Sequence, residues 1–134
     1  MKTLSSEKLA YLAGFFDGEG CVRLTPPAKR RGPVLFVSIV NTNHPILEEF
    51  ESYFGGSIQK ASTMPWHKPK WHWVITTNKA VVFLRAIYPY LQLKKEEAEV
   101  AIVFQLHRKR CCTPERRAEA YLKYSKIKAL KHAT

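Results

Sequence analysis

Apolar residues recur along this chain in two periods, and the switches between them mark out the elements. Leu9, Leu12, Phe15 and Phe16 repeat at helical spacing behind Ser5 and Ser6, either of which can cap a helix with Glu7 in its first turn; a helix is predicted over about residues 5–18. Cys21 to Thr25 then alternates, with Val22 and Leu24 on one side and Cys21, Arg23 and Thr25 on the other, and Pro26 and Pro27 end that strand. A basic connection, Ala28 to Gly32, leads to a second strand, Val34 to Val40. There Leu35, Val37 and Ile39 face the core and Val34, Phe36 and Ser38 face away. Asn41-Thr42-Asn43 caps a helix running to about Phe54, with Pro45 tolerated in its first turn and Gly55-Gly56 stopping it. Ser57 to Ala61 and Lys70 to Thr76 pair as a hairpin around a loop holding Pro65 and Pro69; Trp71, Trp73 and Ile75 alternate with Lys70, His72 and Val74. Asn78 is the expected cap of a helix ending near Pro89, Lys94 to about Arg108 forms another, and Pro114 begins a last one.

The order α-β-β-α-β-β-α predicts an α+β fold in which one four-stranded antiparallel sheet is covered by helices on one face. A length of 134 residues gives one domain, residues 1–134, with a core over about 5–105 and a C-terminal helical extension over about 109–134 that carries no assignable motif. Trp66, Trp71 and Trp73 are all expected in the core.

Charge narrows the partner. Twenty-two Lys and Arg against eleven Asp and Glu give a net charge of +11, which calls for a polyanion, an anionic membrane or a solubility explanation. No apolar run reaches the roughly 20 residues that span a bilayer, and Met1 to Lys8 does not read as a signal peptide. Cys21 and the adjacent Cys111 and Cys112 have neither zinc spacing nor an even disulfide framework, so reduced thiols in a cytosol-like or organellar compartment are expected. The polar sheet face gathers Arg23, Thr25, Ser38, Gln59, Lys70 and His72, and the hairpin tips add Lys29, Arg30, Arg31, His67 and Lys68. A concave sheet of that kind could lie along a DNA major groove, with side chains on base edges and tip cations on phosphates, the alternative being that these charges form only a solvated face.

The chemistry concentrates in Leu12-Ala13-Gly14-Phe15-Phe16-Asp17-Gly18-Glu19-Gly20, a helix that runs into two carboxylates spaced by glycines. Ala10, Ala13, Gly14 and Asp17 form a second helical face at i, i+3, i+4 and i+7, small enough for another backbone to approach closely. Gly18 and Gly20 bracket Glu19 and leave its carboxylate beside freed carbonyls, Gly18's among them. Oxygen donors of that kind suit Mg²⁺, which keeps several waters.

At these nine residues, with Tyr11 before them, the chain resembles the LAGLIDADG homing endonuclease family, Glu19 standing where Asp is the more usual residue. Pro89-Tyr90-Leu91-Gln92-Leu93-Lys94-Lys95 is similar to the segment that precedes the late core helix in single-motif members. The resemblance implies a core fold over roughly residues 5–105 and a sequence-specific double-strand DNA endonuclease. In that reading Glu19 and the Gly18 carbonyl hold Mg²⁺, for which Mn²⁺ substitutes. Lys94, with Lys95 as its neighbour, supplies a cation near the scissile phosphate, and Asn41 orders water. Because one copy of the motif is present, it implies a homodimer with the Ala10, Ala13, Gly14, Asp17 faces packed at the two-fold axis, a partly palindromic target, and cuts across the minor groove leaving 3′ overhangs. The same family includes RNA-binding intron maturases and proteins that bind DNA without cutting it, and these are the alternatives.

Overall fold

A computed structural model describes residues 4–25, 33–61, 64–106 and 122. The elements are α1 (Ser6–Glu19), β1 (Gly20–Leu24), β2 (Leu35–Asn41), α2 (His44–Phe54), β3 (Ser57–Ala61), β4 (Lys70–Thr76), α3 (Thr77–Ile87), a 3-10 turn (Tyr88–Tyr90) and α4 (Lys95–Leu106). They make the expected α+β fold, with a single antiparallel sheet in the order β1-β2-β4-β3.

Local chemistry sets most boundaries. Ser5 caps α1 by accepting the Lys8 N–H at 3.1 Å, and Asn43 caps α2 by accepting the Ile46 N–H at 3.2 Å. Gly55 and Gly56, at φ 83° and 89°, turn α2 into β3 in a conformation that penalises side chains. Gly56 is held closer still, since a Cβ there would lie 2.4 Å from the Val74 carbonyl oxygen.

The helices cover one sheet face. Val22, Leu24, Leu35, Val37, Ile39, Trp73 and Ile75 are buried there, beneath Leu12 and Phe16 of α1, Leu47 and Phe50 of α2, and Phe83 and Leu84 of α3. Phe83 is the hub, with ring centroids 4.8 Å from Phe54, 5.2 Å from Phe16 and Trp73, and 5.9 Å from Phe50. Edge-to-face packing of this kind contributes about 1 kcal/mol per pair beyond area burial.

Three expectations need correction or fall elsewhere. Asn78 does not cap α3: β4 runs directly into the helix at Thr76, Thr77 takes φ 52° to make the corner, and the Asn78 side chain instead accepts from Gln105 Nε2 at 3.2 Å. Trp66 is not core but 75% exposed, because it sits in the β3–β4 loop between Pro65 and Pro69, beyond the reach of the helices. The helix expected from Pro114, and most of the 109–134 extension, lie outside the described residues.

Candidate nucleic-acid interface and acidic corner

The acidic corner is built where α1 meets β1. Gly20 ends the helix with its N–H on the Phe16 carbonyl, and a Cβ at Gly20 would lie 2.2 Å from the Phe16 ring, so strand and helix touch as no other residue would allow. Asp17 and Glu19, one residue either side of Gly18, point to different fates. Asp17 is 8% exposed; its Oδ2 accepts the Gln92 N–H at 2.7 Å and its Oδ1 the Lys94 N–H at 3.0 Å. Glu19 is exposed at the helix end.

Lys94 is brought to the same corner. Its ammonium donates to the Asp17 main-chain carbonyl at 2.7 Å, and its own carbonyl accepts the Ala98 N–H at 2.9 Å, starting α4. The cation therefore rests on the negative end of the α1 dipole, two residues from Glu19. With both Asp17 oxygens committed to the 92–94 backbone, Glu19 is the carboxylate left to the surface. No group of three His, Cys, Asp or Glu side chains able to hold a metal occurs among the described residues. One carboxylate with helix-end carbonyls such as Gly18's is a hard-oxygen donor set that fits a largely hydrated Mg²⁺ completed by other partners.

Asn41, at the end of β2, is paired in register with Trp71, and its Oδ1 accepts the Asn43 N–H at 2.8 Å in the turn into α2. That turn bond engages the side-chain oxygen of Asn41, the residue expected to order water.

The small-residue face of α1 is rotated from the expected one. Ala10 and Gly14 are exposed, and nothing lies within 4 Å of a Cβ built at Gly14. Ala13, however, is fully buried, and Asp17 is buried and bonded within the chain, so neither is available to a second helix. The physical reason is that α1 packs the 13/16/17 side against its own fold. The outward stripe is Ala10, Tyr11, Gly14 and Gly18, with Tyr11 55% exposed.

Among the described residues no helix covers the other sheet face. Arg23, Gln59, Lys70 and, in the β3–β4 loop, His67 and Lys68 are exposed on it or at its rim. Register places Arg23 opposite Phe36 and Thr76, Cys21 opposite Ser38 and Val74, and Val40 opposite His72 and Gln59. The Arg23 guanidinium lies over the Phe36 ring, 4.3 Å from its centroid, and the same ring is 6.3 Å from His72. Phe36 thus leans over the row between its two partners, and Ser38 beneath it is only 6% exposed, so the base-contact position expected of Ser38 is covered. Burial, and secondarily the Arg23 charge, hold the His72 imidazole below its usual pKa of 6.5, favouring the neutral ring. Thr25 Oγ1 accepts the Val34 N–H at 2.9 Å, closing the end of the β1–β2 pair. Lys29, Arg30 and Arg31 lie outside the described residues.

Two features escaped sequence reasoning: the docking of the 92–94 backbone on Asp17, 75 residues away in sequence, and the stack of Arg23 on Phe36, whose signal was an apolar residue on an otherwise polar face.

The fold is thus an α+β layer of helices on one antiparallel sheet, with a carboxylate and a lysine at the corner where α1 meets β1. Residues 6–62 match the family model described as a LAGLIDADG-like domain. Among solved structures the chain is similar to the homing endonuclease I-CvuI in complex with its target, with a TM-score of 0.81, 22% identity, and coverage of 92% of this chain and 82% of that one. It is similar to the archaeal intron-encoded homing endonuclease I-Vdi141I complexed with DNA, with a TM-score of 0.76, 17% identity and coverage of 92% and 84%. The meganuclease I-SmaMI bound to uncleavable DNA matches with a TM-score of 0.69 at 19% identity, over 94% of this chain and 46% of that one. No curated protein matches the chain.

Proposed function

We propose that this protein is a homodimeric, Mg²⁺-dependent, sequence-specific DNA endonuclease that makes double-strand breaks in a partly palindromic site and leaves 3′ overhangs. The observation that carries the reading is the division of labour at the acidic corner. Asp17 is consumed in holding the 92–94 backbone, so Glu19 is kept as an exposed carboxylate beside an anchored lysine.

Glu19 and the Gly18 carbonyl would hold Mg²⁺, which, when bound, supplies charge neutralisation at the phosphate and a more acidic water. The chain's own contributions are positional. Lys94 holds an ammonium fixed by the Asp17 carbonyl, where it meets charge developing on the phosphate oxygens. The Asn41 amide orients water, the Arg23 face of the sheet sets register on the duplex, and Lys68 and Lys70 draw in the backbone. A second copy, packed along Ala10, Gly14 and Gly18, brings a second Glu19 to the same place, which is what cutting both strands requires.

Glu19→Gln keeps the shape and removes the charge, so cleavage falls by orders of magnitude while binding to the same duplex survives. The measurement pairs target affinity in Ca²⁺ with single-turnover cleavage in Mg²⁺. Tight duplex binding by the unmodified protein with no cleavage of its selected target in Mg²⁺ or Mn²⁺ would overturn the nuclease reading. It would leave the maturase and non-cutting alternatives.

A further inference from the structure

The middle of the open sheet face is not polar. Phe36, Val40 and Val74 form an apolar strip there, Val40 being 42% exposed, and among the described residues the guanidinium on that part of the face, Arg23, lies over the Phe36 ring. A guanidinium carbon 4.3 Å from a ring centroid is shielded on the side of the ring, while N–H groups on its other side stay available. Among the described residues no carboxylate forms an ion pair with Arg23. Its charge therefore remains available for an external acceptor.

Chemistry then narrows what fits. The N–H fork of arginine matches O6 and N7 of guanine. When the fork engages that base, the guanidinium plane extends over the neighbouring base edge, and in the major groove the one apolar group on a base edge is the C5-methyl of a pyrimidine. Phe36 and Val40 line the same strip and would exclude water from such a methyl. Neutral His72, on the far side of Phe36, adds no repelling charge to Arg23.

Resting on the reading of this face as a DNA surface, we propose that Arg23 stacked on Phe36 recognises a pyrimidine–guanine step carrying a C5-methyl group, namely TpG or 5-methyl-CpG. The protein would then distinguish methylated from unmethylated cytosine at one step of each half-site. Neither the charge of the face nor the fold requires that property. It comes from the apolar strip and the stacked guanidinium.

The test uses the full chain. A randomised duplex library is first selected for binding in Ca²⁺. The selected half-site is then made in four forms that differ only at the pyrimidine before the arginine-contacted guanine: thymine, uracil, 5-methylcytosine and cytosine. Thymine should bind about fourfold tighter than uracil, and 5-methylcytosine about fourfold tighter than cytosine, the effect of burying one methyl group. Phe36→Leu should bring both ratios towards one while duplex binding persists. Arg23→Lys, which keeps the charge and can still donate to guanine but has no plane, should bring both ratios to one. The comparison of DNA forms on the unmodified protein needs no variant to fold. Equal affinity within both pairs, or selected sites with no pyrimidine–guanine step, would overturn this proposal and leave the nuclease reading standing. Absence of any duplex binding would overturn both.

Discussion

Asp17 and Lys94 are joined twice, once through the Lys94 N–H on Asp17 Oδ1 at 3.0 Å and once through the Lys94 ammonium on the Asp17 carbonyl at 2.7 Å. The first bond fixes the backbone that carries the lysine; the second fixes its charge. Of the two acidic residues in the motif, Asp17 is a structural clasp and Glu19 is exposed.

Asp17→Ala should therefore cost stability before it costs anything else. Two N–H groups, of Gln92 and Lys94, would lose their acceptor in a part-buried site, at roughly 1–3 kcal/mol each. Urea denaturation should show a loss of about 3 kcal/mol for Asp17→Ala, against less than about 0.5 kcal/mol for Glu19→Gln at its exposed position. Equal losses would show that the clasp carries no weight.

Lys94→Met keeps the aliphatic stem and removes the cation. If its charge acts, as proposed, on a transition state and not on the bound duplex, single-turnover cleavage should slow by at least about a hundredfold, with affinity in Ca²⁺ changed by less than about threefold. A parallel fall in both quantities would assign Lys94 to binding.

Gly14→Leu reads the contact between copies cleanly. The position is exposed, nothing in the chain lies within 4 Å of the added Cβ, and leucine in a helix interior is favoured over glycine by somewhat less than about 1 kcal/mol. The variant should melt no lower than the parent, yet run as a monomer in light scattering at micromolar concentration where the parent is a dimer. A parent that is monomeric with DNA bound would remove the two-fold assembly from the reading.

The depressed His72 pKa gives a pH dependence whose sign is fixed. The unfolded chain takes up a proton near pH 6.5 that the folded chain, with His72 against Phe36 and near Arg23, resists. The unfolded state thus binds more protons in the window below 6.5. Stability contributed by neutral His72 is present above that pH and is lost as pH falls towards the lower folded value. Thermal melts from about pH 7.5 to about 5.5 should show a smaller decline for His72→Gln than for the parent. Identical slopes would mean that His72 titrates as if exposed.

Lys68 is exposed in the β3–β4 loop, where a phosphate contact is sequence-blind. Lys68→Ala should weaken selected and random duplexes by the same factor and lower the slope of log affinity against log salt by about one. A loss confined to the selected duplex would place Lys68 on a base.

The sequence made the elements legible wherever a local residue has a local partner. Ser5 and Lys8, Asn43 and Ile46, and the two glycines after Phe54 act within three residues of one another, and the hairpin Ser57–Ala61 with Lys70–Thr76 falls where alternation placed it. Failures came where the partner is remote or the neighbouring element arrives without a loop. Asp17 looked like part of a small-residue stripe because its acceptors' partners lie 75 and 77 residues on. Ser38 looked like a groove residue because alternation gives the face but not the tilt of Phe36 above it. Asn78 looked like a cap because nothing local says that β4 enters α3 without a linker. At the corner itself, Glu19 and Lys94 could be named from motif and resemblance, but the helix-end carbonyl that seats the lysine is a product of folding.

The contact of Gly20 with Phe16 has a metrical consequence. Because the first residue of β1 is wedged against the helix that carries Glu19, the chain has no slack between the carboxylate and Arg23, four residues along an extended strand. At about 3.3 Å per residue that interval is about 13 Å, close to four base-pair steps of 3.4 Å. On the proposed reading the strand would serve as a ruler between the carboxylate at the cut and the guanidinium on the base. Lengthening it by a single residue would shift that distance and turn Arg23 to the opposite side of the sheet.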